Sequence, residues 1–290
     1  MKIIIFGING QDGYYLSEIC KKNGLEVLGI SRSKGNWING DVSNYQFVES
    51  LIKEHQPTHI FHFAAKSTTQ HYALFENHEA ISTGTLNILE SVRLHSPNSR
   101  VFLSGSAMQF ENNGLPIDEQ TPFEASSPYS VARIQSVYAG RYYREKFNLK
   151  IYVGYFFNHD SPLRTEVHIN QKIAAFVKNI DKNTGQKLEI GDIKTRKEFN
   201  FAGDVMEAVW LLVNQDQVFE AVIGCGKSHS IEDWLKLCFA NVNKNWQDYI
   251  TTKNDFQSEY EILVSNPALI KSIGWQPKTS IDDLAKMMLR

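Results

Sequence analysis

A tyrosine and an arginine four residues apart could together move a proton. Tyr129 and Arg133 stand in the segment SPYSVAR (127–133), and residues four apart share one face of a helix. A phenol with a pKa of about 10 acts as a base near neutral pH only where a neighbouring cation favours the phenolate. Ser106 ends an earlier apolar run, so its hydroxyl could share the substrate proton with Tyr129. The pattern indicates general acid/base chemistry, although the same spacing is common on ordinary helix surfaces.

A glycine-rich loop after the first apolar run could hold a pyrophosphate. Glycine permits a tight turn, close approach of backbone to phosphate, and close packing of the following helix. The N-terminus of that helix adds N–H donors and the positive end of its dipole. Because the loop stands between a predicted strand and a predicted helix, it favours a dinucleotide site over a plain strand-to-helix turn. The loop, GINGQDG, contributes Gly7, Gly10, Gln11, Asp12 and Gly13.

The end of the second apolar run bears on which dinucleotide is bound. An NAD enzyme usually keeps an acidic residue there for the adenosine ribose 2′-hydroxyl, whereas this chain has Ser31, Arg32, Ser33 and Lys34. Two cations and no carboxylate favour a 2′-phosphate, and hence NADP over NAD. The alternative is a solvated loop with ordinary charges. We expect Asp41, in the next turn, to hydrogen-bond the adenine amino group.

Apolar runs of strand length alternate with segments of helical period over about 160 residues. Such alternation predicts right-handed βαβ units and therefore an α/β fold with a Rossmann-type doubly wound parallel sheet. The predicted strands cover residues 2–6, 26–30, 59–63, 100–104 and 150–156. The predicted helices cover residues 13–23, 44–55, 80–95 and 129–147.

The pattern loosens after Phe157, where no flexible linker marks a boundary. We expect residues 1–160 to form the cofactor domain, residues 198–225 to return to it, and residues 161–290 to form a smaller C-terminal substrate-binding region. A ligand cleft is expected between the halves, at the carboxyl ends of the strands. Further elements are predicted as helices at 171–178, 204–215 and 230–240 and from 280, with a strand at 187–190.

Composition excludes several classes of protein. The 290 residues include 30 basic and 32 acidic side chains, for a net charge of −2, so the clustered cations that nucleic-acid binding needs are not expected. The three cysteines are scattered and show no metal-ligand spacing, which argues against a disulfide framework and a metal site. No signal peptide and no membrane span is evident in the sequence. We expect a cytoplasmic protein that binds neither membrane nor nucleic acid.

Two further runs, FAAKS (63–67) and FFNHDSP (156–162), join the glycine loop and the Ser/Tyr pair in one recognisable set. Together they resemble the extended short-chain dehydrogenase/reductase (NAD-dependent epimerase/dehydratase) family. Within that family the chain is most similar to the GDP-mannose 4,6-dehydratases and the GDP-4-keto-6-deoxymannose reductases. The resemblance extends over nearly the whole chain, through KEF (197–199) to GWQP (274–277).

The resemblance implies hydride exchange between C4 of a nucleotide-linked hexose and a nicotinamide. It makes Tyr129 the general acid/base and Ser106 its hydrogen-bonding partner, with Arg133 as the accompanying cation. It assigns Asn158 to the sugar nucleotide, Lys172 to its diphosphate and Glu259 to its nucleoside end. By the same match Ala64, Ala65 and Lys66 would contact the cofactor, and Ser67, Met108 and Lys197 the substrate.

Three departures from the family pattern bear on the reaction. Arg133 replaces a lysine, and a planar guanidinium does not reproduce the geometry of an ammonium. Met108 replaces the catalytic glutamate of the dehydratases, and a thioether cannot move protons. Phe256 replaces a phosphate-binding arginine, so the diphosphate would need Arg164, Arg196 or Lys197.

We therefore expect an NADP-dependent oxidoreductase acting at C4 of a GDP-linked nucleotide sugar, with reduction of a 4-keto sugar as the simplest reaction. One alternative is a 4,6-dehydratase in which Glu111 supplies the missing group, and another is a 4-epimerase. A third, from a different class, is a nucleotide-binding protein without catalytic activity. By resemblance, a homodimer or tetramer is expected, formed through the helices at 80–95 and 129–147.

Overall fold

A computed structural model describes residues 1–181, 185–253 and 256–290. Its central sheet has seven strands, all parallel, in the order β11-β6-β5-β4-β1-β2-β3. The strands are β1 (Lys2–Phe6), β2 (Glu26–Ser31), β3 (Ile38–Asn39), β4 (His59–His62), β5 (Arg100–Ser106), β6 (Lys150–Phe156), β7 (His159–Asp160), β8 (Leu188–Ile190), β9 (Arg196–Glu198), β10 (Asn200–Phe201), β11 (Glu220–Ile223), β12 (Ser228–Ser230), β13 (Ile250–Thr252) and β14 (Ile262–Leu263).

Helices cover both faces of this sheet, which confirms the predicted α/β fold with a doubly wound parallel sheet. The α-helices are α1 (Gln11–Lys22), α2 (Tyr45–His55), α3 (Leu74–Asn77), α4 (Gly84–His95), α5 (Pro128–Phe147), α6 (Ile169–Lys178), α7 (Ala202–Val213), α8 (Ile231–Ala240), α9 (Ala268–Ser272) and α10 (Ile281–Leu289). None of those in the described ranges combines the length and the apolar composition that a membrane span requires.

Two apolar cores lie against the sheet because its inner strands are apolar on both faces. In β1, Ile4 faces a core shared with α2, α4 and α5, whereas Ile3 and Ile5 face a core shared with α1 and α7. A third core joins α6, α8 and α10 in the C-terminal part of the chain. Two of the three cores thus cover the faces of the central sheet, and the third belongs to the C-terminal part of the chain.

The predicted helix over 80–95 begins differently from a regular α-helix. Residues His78–Thr83 form a π-helical turn that leads into α4, and such turns are frequent at functional sites. Ala80, within the turn, is buried and lines a cavity beside the glycine loop. The π turn therefore shapes a wall of the candidate site.

Residues 202–223 add a helix and a strand to the central sheet after the chain has left it. α7 packs beside α1, and β11 pairs in parallel with β6, with Ile223 opposite Phe156. The helix was predicted at 204–215 and starts two residues earlier. β11 was not predicted, because its apolar run AVI is too short to stand out in the sequence.

Candidate functional site

The predicted site residues converge on one edge of the sheet. Since all seven strands are parallel, their carboxyl ends meet at this edge. Gly7 follows β1, Arg32 follows β2, Ala64 follows β4, and Ser106 ends β5. Asn158 follows β6 in the same way. Residues as far apart in the chain as Gly7 and Asn158 are thus brought to one edge of the sheet.

The glycine loop forms a tight cradle in which two of the three glycines are required by packing. Gly7 has φ +90°, and a Cβ there would lie 2.8 Å from the backbone nitrogen of Ala64. A Cβ on Gly13 would lie 2.5 Å from the Gly7 carbonyl oxygen. At Gly10 the closest atom would be 3.5 Å away, an ordinary contact. The loop is therefore closely packed at Gly7 and Gly13 and open at Gly10. This shape fits a pyrophosphate bound over the N-terminus of α1.

The side chains of Gln11 and Asp12 do not face this cradle. Gln11 donates to the carbonyl of His159 at 3.1 Å and accepts from the Ser161 hydroxyl at 2.9 Å. Asp12 pairs with His159, with 2.9 Å between carboxylate oxygen and Nε2. Both side chains tie the glycine loop to the segment after β6, so only the backbone N–H groups of these two residues remain for a phosphate.

The Asp12–His159 pair is a buried ion pair. Burial alone would lower the pKa of His159, but the carboxylate of Asp12 outweighs it and raises that pKa above its usual value. Burial would likewise raise the pKa of Asp12, and the imidazolium outweighs it in the opposite direction. Both shifts favour the charged pair.

A cavity of about 250 Å³ lies beside the cradle, where an adenosine would follow the pyrophosphate. Asp41 lines it, and its carboxylate oxygen accepts from the backbone N–H and the hydroxyl of Ser43, both at 2.9 Å. The carboxylate expected to meet the adenine is therefore held in place by its own turn. The predicted cofactor residues in the cavity wall are Gly7, Arg32, Ser33, Asp41, Ala64 and Ala65.

Arg32 already has an anionic partner at the mouth of this cavity. Its guanidinium lies 2.9 Å from the carboxylate of Glu76, and Lys66 lies 3.7 Å from the other oxygen of the same carboxylate. All three side chains are partly exposed. Sequence reasoning missed Glu76, because it is 44 residues from Arg32 and belongs to the four-residue helix α3.

The helix that carries Tyr129 begins where its sequence dictates. The Ser127 hydroxyl accepts from the backbone N–H of Ser130, and the Ser130 hydroxyl accepts from the backbone N–H of Ser127. Pro128 occupies the first turn. This arrangement is a capping box followed by the residue best suited to the first helical position. The cap fixes the start of α5 and hence the direction in which Tyr129 projects.

Arg133 lies beneath the ring of Tyr129 and is 5% exposed. Its guanidinium carbon is 5.1 Å from the centroid of that ring, within the range of a cation–π contact. Its hydrogen bonds go to Ser104, to the backbone carbonyl and, at 2.7 Å, to the hydroxyl. The expected cation is therefore beside the phenol, but its described hydrogen bonds anchor it to β5.

Ser106 and Met108 share the turn that follows β5. The Ser106 hydroxyl oxygen accepts from the backbone N–H of Met108 at 3.2 Å, which leaves the hydroxyl proton free to be donated. Met108 is half-buried and packs against the core under α4 and α5. Glu111 is exposed, and its backbone N–H bonds to Pro122. Its surface position does not support the role of a substitute for the missing glutamate.

Asn158 offers an unused acceptor toward the cleft. Its backbone carbonyl accepts from the side chain of Asn200, which fixes the residue, and Asn158 favours the phenolate of Tyr260, whose pKa is nevertheless raised to about 12 by burial. Its side-chain oxygen is buried and has no partner among the described residues. A substrate hydroxyl would satisfy that atom. Tyr260 is a second residue that sequence reasoning missed.

The remaining predicted substrate residues differ in their surroundings. Glu259 accepts a hydrogen bond from Thr69, which brings the C-terminal segment against the loop that carries Ser67. Ser67 and Lys172 are exposed. Phe256, at the position of the family arginine, is 52% exposed and packs against Gly191. The diphosphate therefore needs other cations.

Two of the cations predicted as alternatives, Arg164 and Lys197, lie near Asp160 of β7. Burial lowers the pKa of Lys197, with Arg164 acting in the same direction and Asp160 against it. Arg164 lies 3.7 Å from Asp160 and 3.3 Å from the ring of His168. Burial and Arg164 lower the pKa of His168 to about 4. His168 was not identified from the sequence, although it stands only four residues after Arg164 and directly precedes α6.

Arg196, the third cation considered for the diphosphate, is engaged elsewhere. It donates to the carbonyl of Ser228 at 2.9 Å and lies 4.0 Å from Asp233. These contacts hold β9 against β12 and the start of α8. Arg196 therefore already has partners within the C-terminal part of the chain.

Comparison with known proteins covers almost the full chain. A family model described as GDP-mannose 4,6 dehydratase matches residues 4–288. GDP-mannose 4,6 dehydratase 2 of Arabidopsis thaliana is 30% identical over 99% of this chain and 85% of its own length. These relatives support the dehydratase alternative better than the expected 4-keto reductase.

Solved structures share the fold at lower identity. UDP-glucose 4-epimerase of Thermus thermophilus, in complex with NAD, superimposes with a TM-score of 0.85 at 19% identity, covering 100% of this chain and 98% of that one. RMD from Pseudomonas aeruginosa, complexed with NADPH, gives a TM-score of 0.87 at 17% identity over 99% and 96% of the two chains. At these identities the likeness concerns the Rossmann-type fold.

Proposed function

Because the chain belongs to the GDP-mannose 4,6-dehydratase family, we propose that it binds NADP(H) and a nucleotide-linked hexose and exchanges a hydride with C4 of the sugar. The observation that carries this proposal is the juxtaposition of a close-packed glycine cradle with Tyr129 and Ser106 at one edge of the sheet. A nucleotide-binding protein without catalytic activity would need the glycine cradle but not Tyr129 and Ser106 beside it.

The adenosine end of the cofactor is proposed to occupy the cavity beside the cradle. The loop that contains Gly7, Gly10 and Gly13 would hold the pyrophosphate, and Asp41 would hydrogen-bond the adenine. The 2′-phosphate of NADP would meet Arg32 and Lys66, with hydrogen bonds from Ser33. Ala64 and Ala65, which line the cavity without bulky side chains, leave room for the ribose.

Tyr129 is proposed to handle the proton of the C4 oxygen. When the C4 hydroxyl is oxidised, the phenolic oxygen accepts its proton, and in the reverse direction it donates one. The free hydroxyl proton of Ser106 would hold the same C4 oxygen in position. The nicotinamide, when bound, accepts or returns the hydride. Arg133 stabilises negative charge on the phenol from beneath its ring.

The substrate is proposed to lie across the segment after β6. Asn158 would bind a sugar hydroxyl through its unpaired oxygen, while Arg164 and Lys197 would neutralise the diphosphate, with Lys172 at its exposed side. Glu259 would accept from the nucleoside base. The GDP linkage is supported by the family name and by the match of these positions.

Two outcomes follow oxidation at C4. Loss of water across C5 and C6 is the reaction named for the relatives, and family membership supports it for this chain. A reaction without elimination, either 4-keto reduction or 4-epimerisation, is the second candidate. It is supported by Met108, which cannot move a proton where the dehydratases carry glutamate.

The chain is also proposed to form a homodimer through α4 and α5. Leu86 and Val131 are 49% and 37% exposed on these helices, as are Tyr138 and Tyr142 at 57% and 55%. Ile88, Leu89 and Val137 are buried in the core of the chain. The exposed set forms an apolar face of the kind that marks a protein interface.

The experiment that tests the function is incubation with NADP⁺ or NADPH and a panel of GDP-, UDP-, CDP- and dTDP-linked hexoses. Both the absorbance of the reduced cofactor and the product mass are followed, because a dehydratase recycles its cofactor internally. A product lighter by one water identifies dehydration, and net consumption of NADPH with a keto sugar identifies reduction. Cofactor binding without any turnover would contradict the proposal and favour the binding-only alternative.

A further inference from the structure

Glu76 pairs with Arg32, which lines the cavity proposed for the adenosine ribose, and with Lys66. We propose that Glu76 is a selectivity residue, which competes with a 2′-phosphate for Arg32 and Lys66. It thereby makes the chain bind NADP(H) more weakly than its two cations alone would. This inference rests on the proposed function and concerns the choice between the two dinucleotides.

Glu76 is held in position by its own helix. Asn77, the next residue, is fully buried and donates to the carbonyl of Thr68 at 3.0 Å. Ala73, at the other end of α3, is 1% exposed. These contacts fix α3 against the loop after β4, so the Glu76 carboxylate is presented to the cavity mouth by a rigid backbone.

Arg32 is held from the opposite wall. The side chain of Asn39 donates to the carbonyl of Arg32 at 2.9 Å and to that of Ser33 at 3.3 Å. The indole of Trp37 donates to the Ser33 carbonyl at 2.8 Å. The backbones that carry Arg32 and Glu76 are thus each held by hydrogen bonds or burial, so the 2.9 Å contact joins side chains from two ordered segments.

The charges decide which dinucleotide is affected. A 2′-phosphate carries almost two negative charges at neutral pH, so it must displace Glu76 from the guanidinium and is repelled by the same carboxylate. A 2′-hydroxyl is neutral and need not break either ion pair. Removal of the Glu76 charge is therefore expected to help NADP(H) and to leave NAD(H) nearly unchanged.

The test is equilibrium titration of the full chain with NADPH and with NADH, monitored by cofactor fluorescence, for wild type and Glu76→Gln. We expect Glu76→Gln to tighten NADPH binding about three- to tenfold, as the release of two partly exposed ion pairs allows, and to change NADH binding less than twofold. The gain should shrink as salt concentration rises. It should also largely vanish in the Arg32→Ala background, since the competition needs the guanidinium.

Glu79→Gln is the matched control. Glu79 stands on the next turn, is exposed, and makes no ion pair with Arg32 or Lys66 in the part of the chain that the structure describes. An equal gain for both dinucleotides in Glu76→Gln, a loss of NADPH affinity, or an effect matched by Glu79→Gln would overturn the inference. Wild type and variants that all bind neither dinucleotide would instead refute the proposed function itself.

Discussion

Asp12 and His159 join the first turn of α1 to the start of β7 through a contact of 2.9 Å. One residue belongs to the glycine loop, and the other belongs to the segment proposed to bind the substrate. The pair therefore links the two halves of the proposed site directly. Its stability should depend on pH in a way that reveals the charge on both partners.

Replacement of His159 by Gln is expected to cost about 3 kcal/mol of unfolding free energy, since it leaves the Asp12 carboxylate without its cation. The raised pKa of His159 means that its contribution is complete below 6.5 and is lost as pH rises through the folded-state value. The lowered pKa of Asp12 means that its contribution is present above 3.8 and is lost as pH falls through the folded-state value. Urea denaturation of wild type and variant across this window should show the difference shrinking at both ends.

A stability difference between wild type and His159→Gln that stays constant with pH would contradict the ion pair. The double variant Asp12→Asn, His159→Gln serves as the control. It removes both charges together, so it should recover part of the lost stability.

Tyr129→Phe should lower the turnover rate by about 10² to 10⁴, the usual contribution of a general acid/base. Cofactor affinity should stay near the wild-type value, because the hydroxyl acts on the substrate. Tyr138→Phe, a 57% exposed position on the same helix, is the control and should retain full activity. Equal rates for Tyr129→Phe and wild type would remove Tyr129 from the proposed mechanism.

Met108→Glu tests whether the missing carboxylate limits elimination. Because Met108 is half-buried against an apolar core, the substitution should cost about 1 to 3 kcal/mol of stability. Where the keto intermediate forms, the rate of water loss should rise relative to wild type, as read from the product mass. Met108→Leu should leave both stability and product unchanged, and an identical product profile for all three proteins would count against a role for this position.

Glu198→Gln should destabilise the chain by about 1.5 to 3 kcal/mol, the range for hydrogen bonds to a charged group. The Glu198 carboxylate is fully buried and accepts from the backbone N–H groups of Cys225, Gly226 and Ser265. It also accepts from the side chains of Asn200 and Ser265. An amide would turn one acceptor into a donor facing other donors. Denaturation of Glu261→Gln, at an exposed position, should show no comparable loss.

Leu86→Glu combined with Val131→Glu should shift the proposed homodimer to monomer, because two carboxylates would be buried in an apolar interface. Size-exclusion chromatography with light scattering measures the change. Leu115→Glu, at another exposed leucine (65%), should leave the assembly intact. A wild-type chain that is already monomeric would refute the dimer without bearing on the cofactor site.

Local signals were enough to predict the elements that carry the chemistry. β6 was predicted over its observed bounds, because KIYVGYF is a long β-rich run between turns. α5 was predicted one residue late, and its start is explained by Ser127 and Pro128. Parallel pairing then brings Gly7, Ser106 and Asn158 to one edge without further information. This much of the site follows from sequence pattern.

Long-range contacts account for what the sequence could not predict. The spacing of Tyr129 and Arg133 placed the cation near the phenol, but only the fold reveals that its hydrogen bonds go to Ser104 on β5. Arg32 was interpreted as a cation for a 2′-phosphate, and its pairing with Glu76 depends on how α3 packs. Such contacts leave no periodic signal, because each partner is an ordinary surface charge in its own segment.

The late return of the chain to the sheet has a consequence for folding during synthesis. β6 ends at residue 156, but its outer neighbour β11 is reached only at residues 220–223. Until then a nascent chain presents the unpaired edge of a long buried strand, a known route to wrong pairing between chains. α7 must also close over α1 before the apolar face of β1 is covered. Chaperone dependence should therefore be greatest while the intervening residues are being translated.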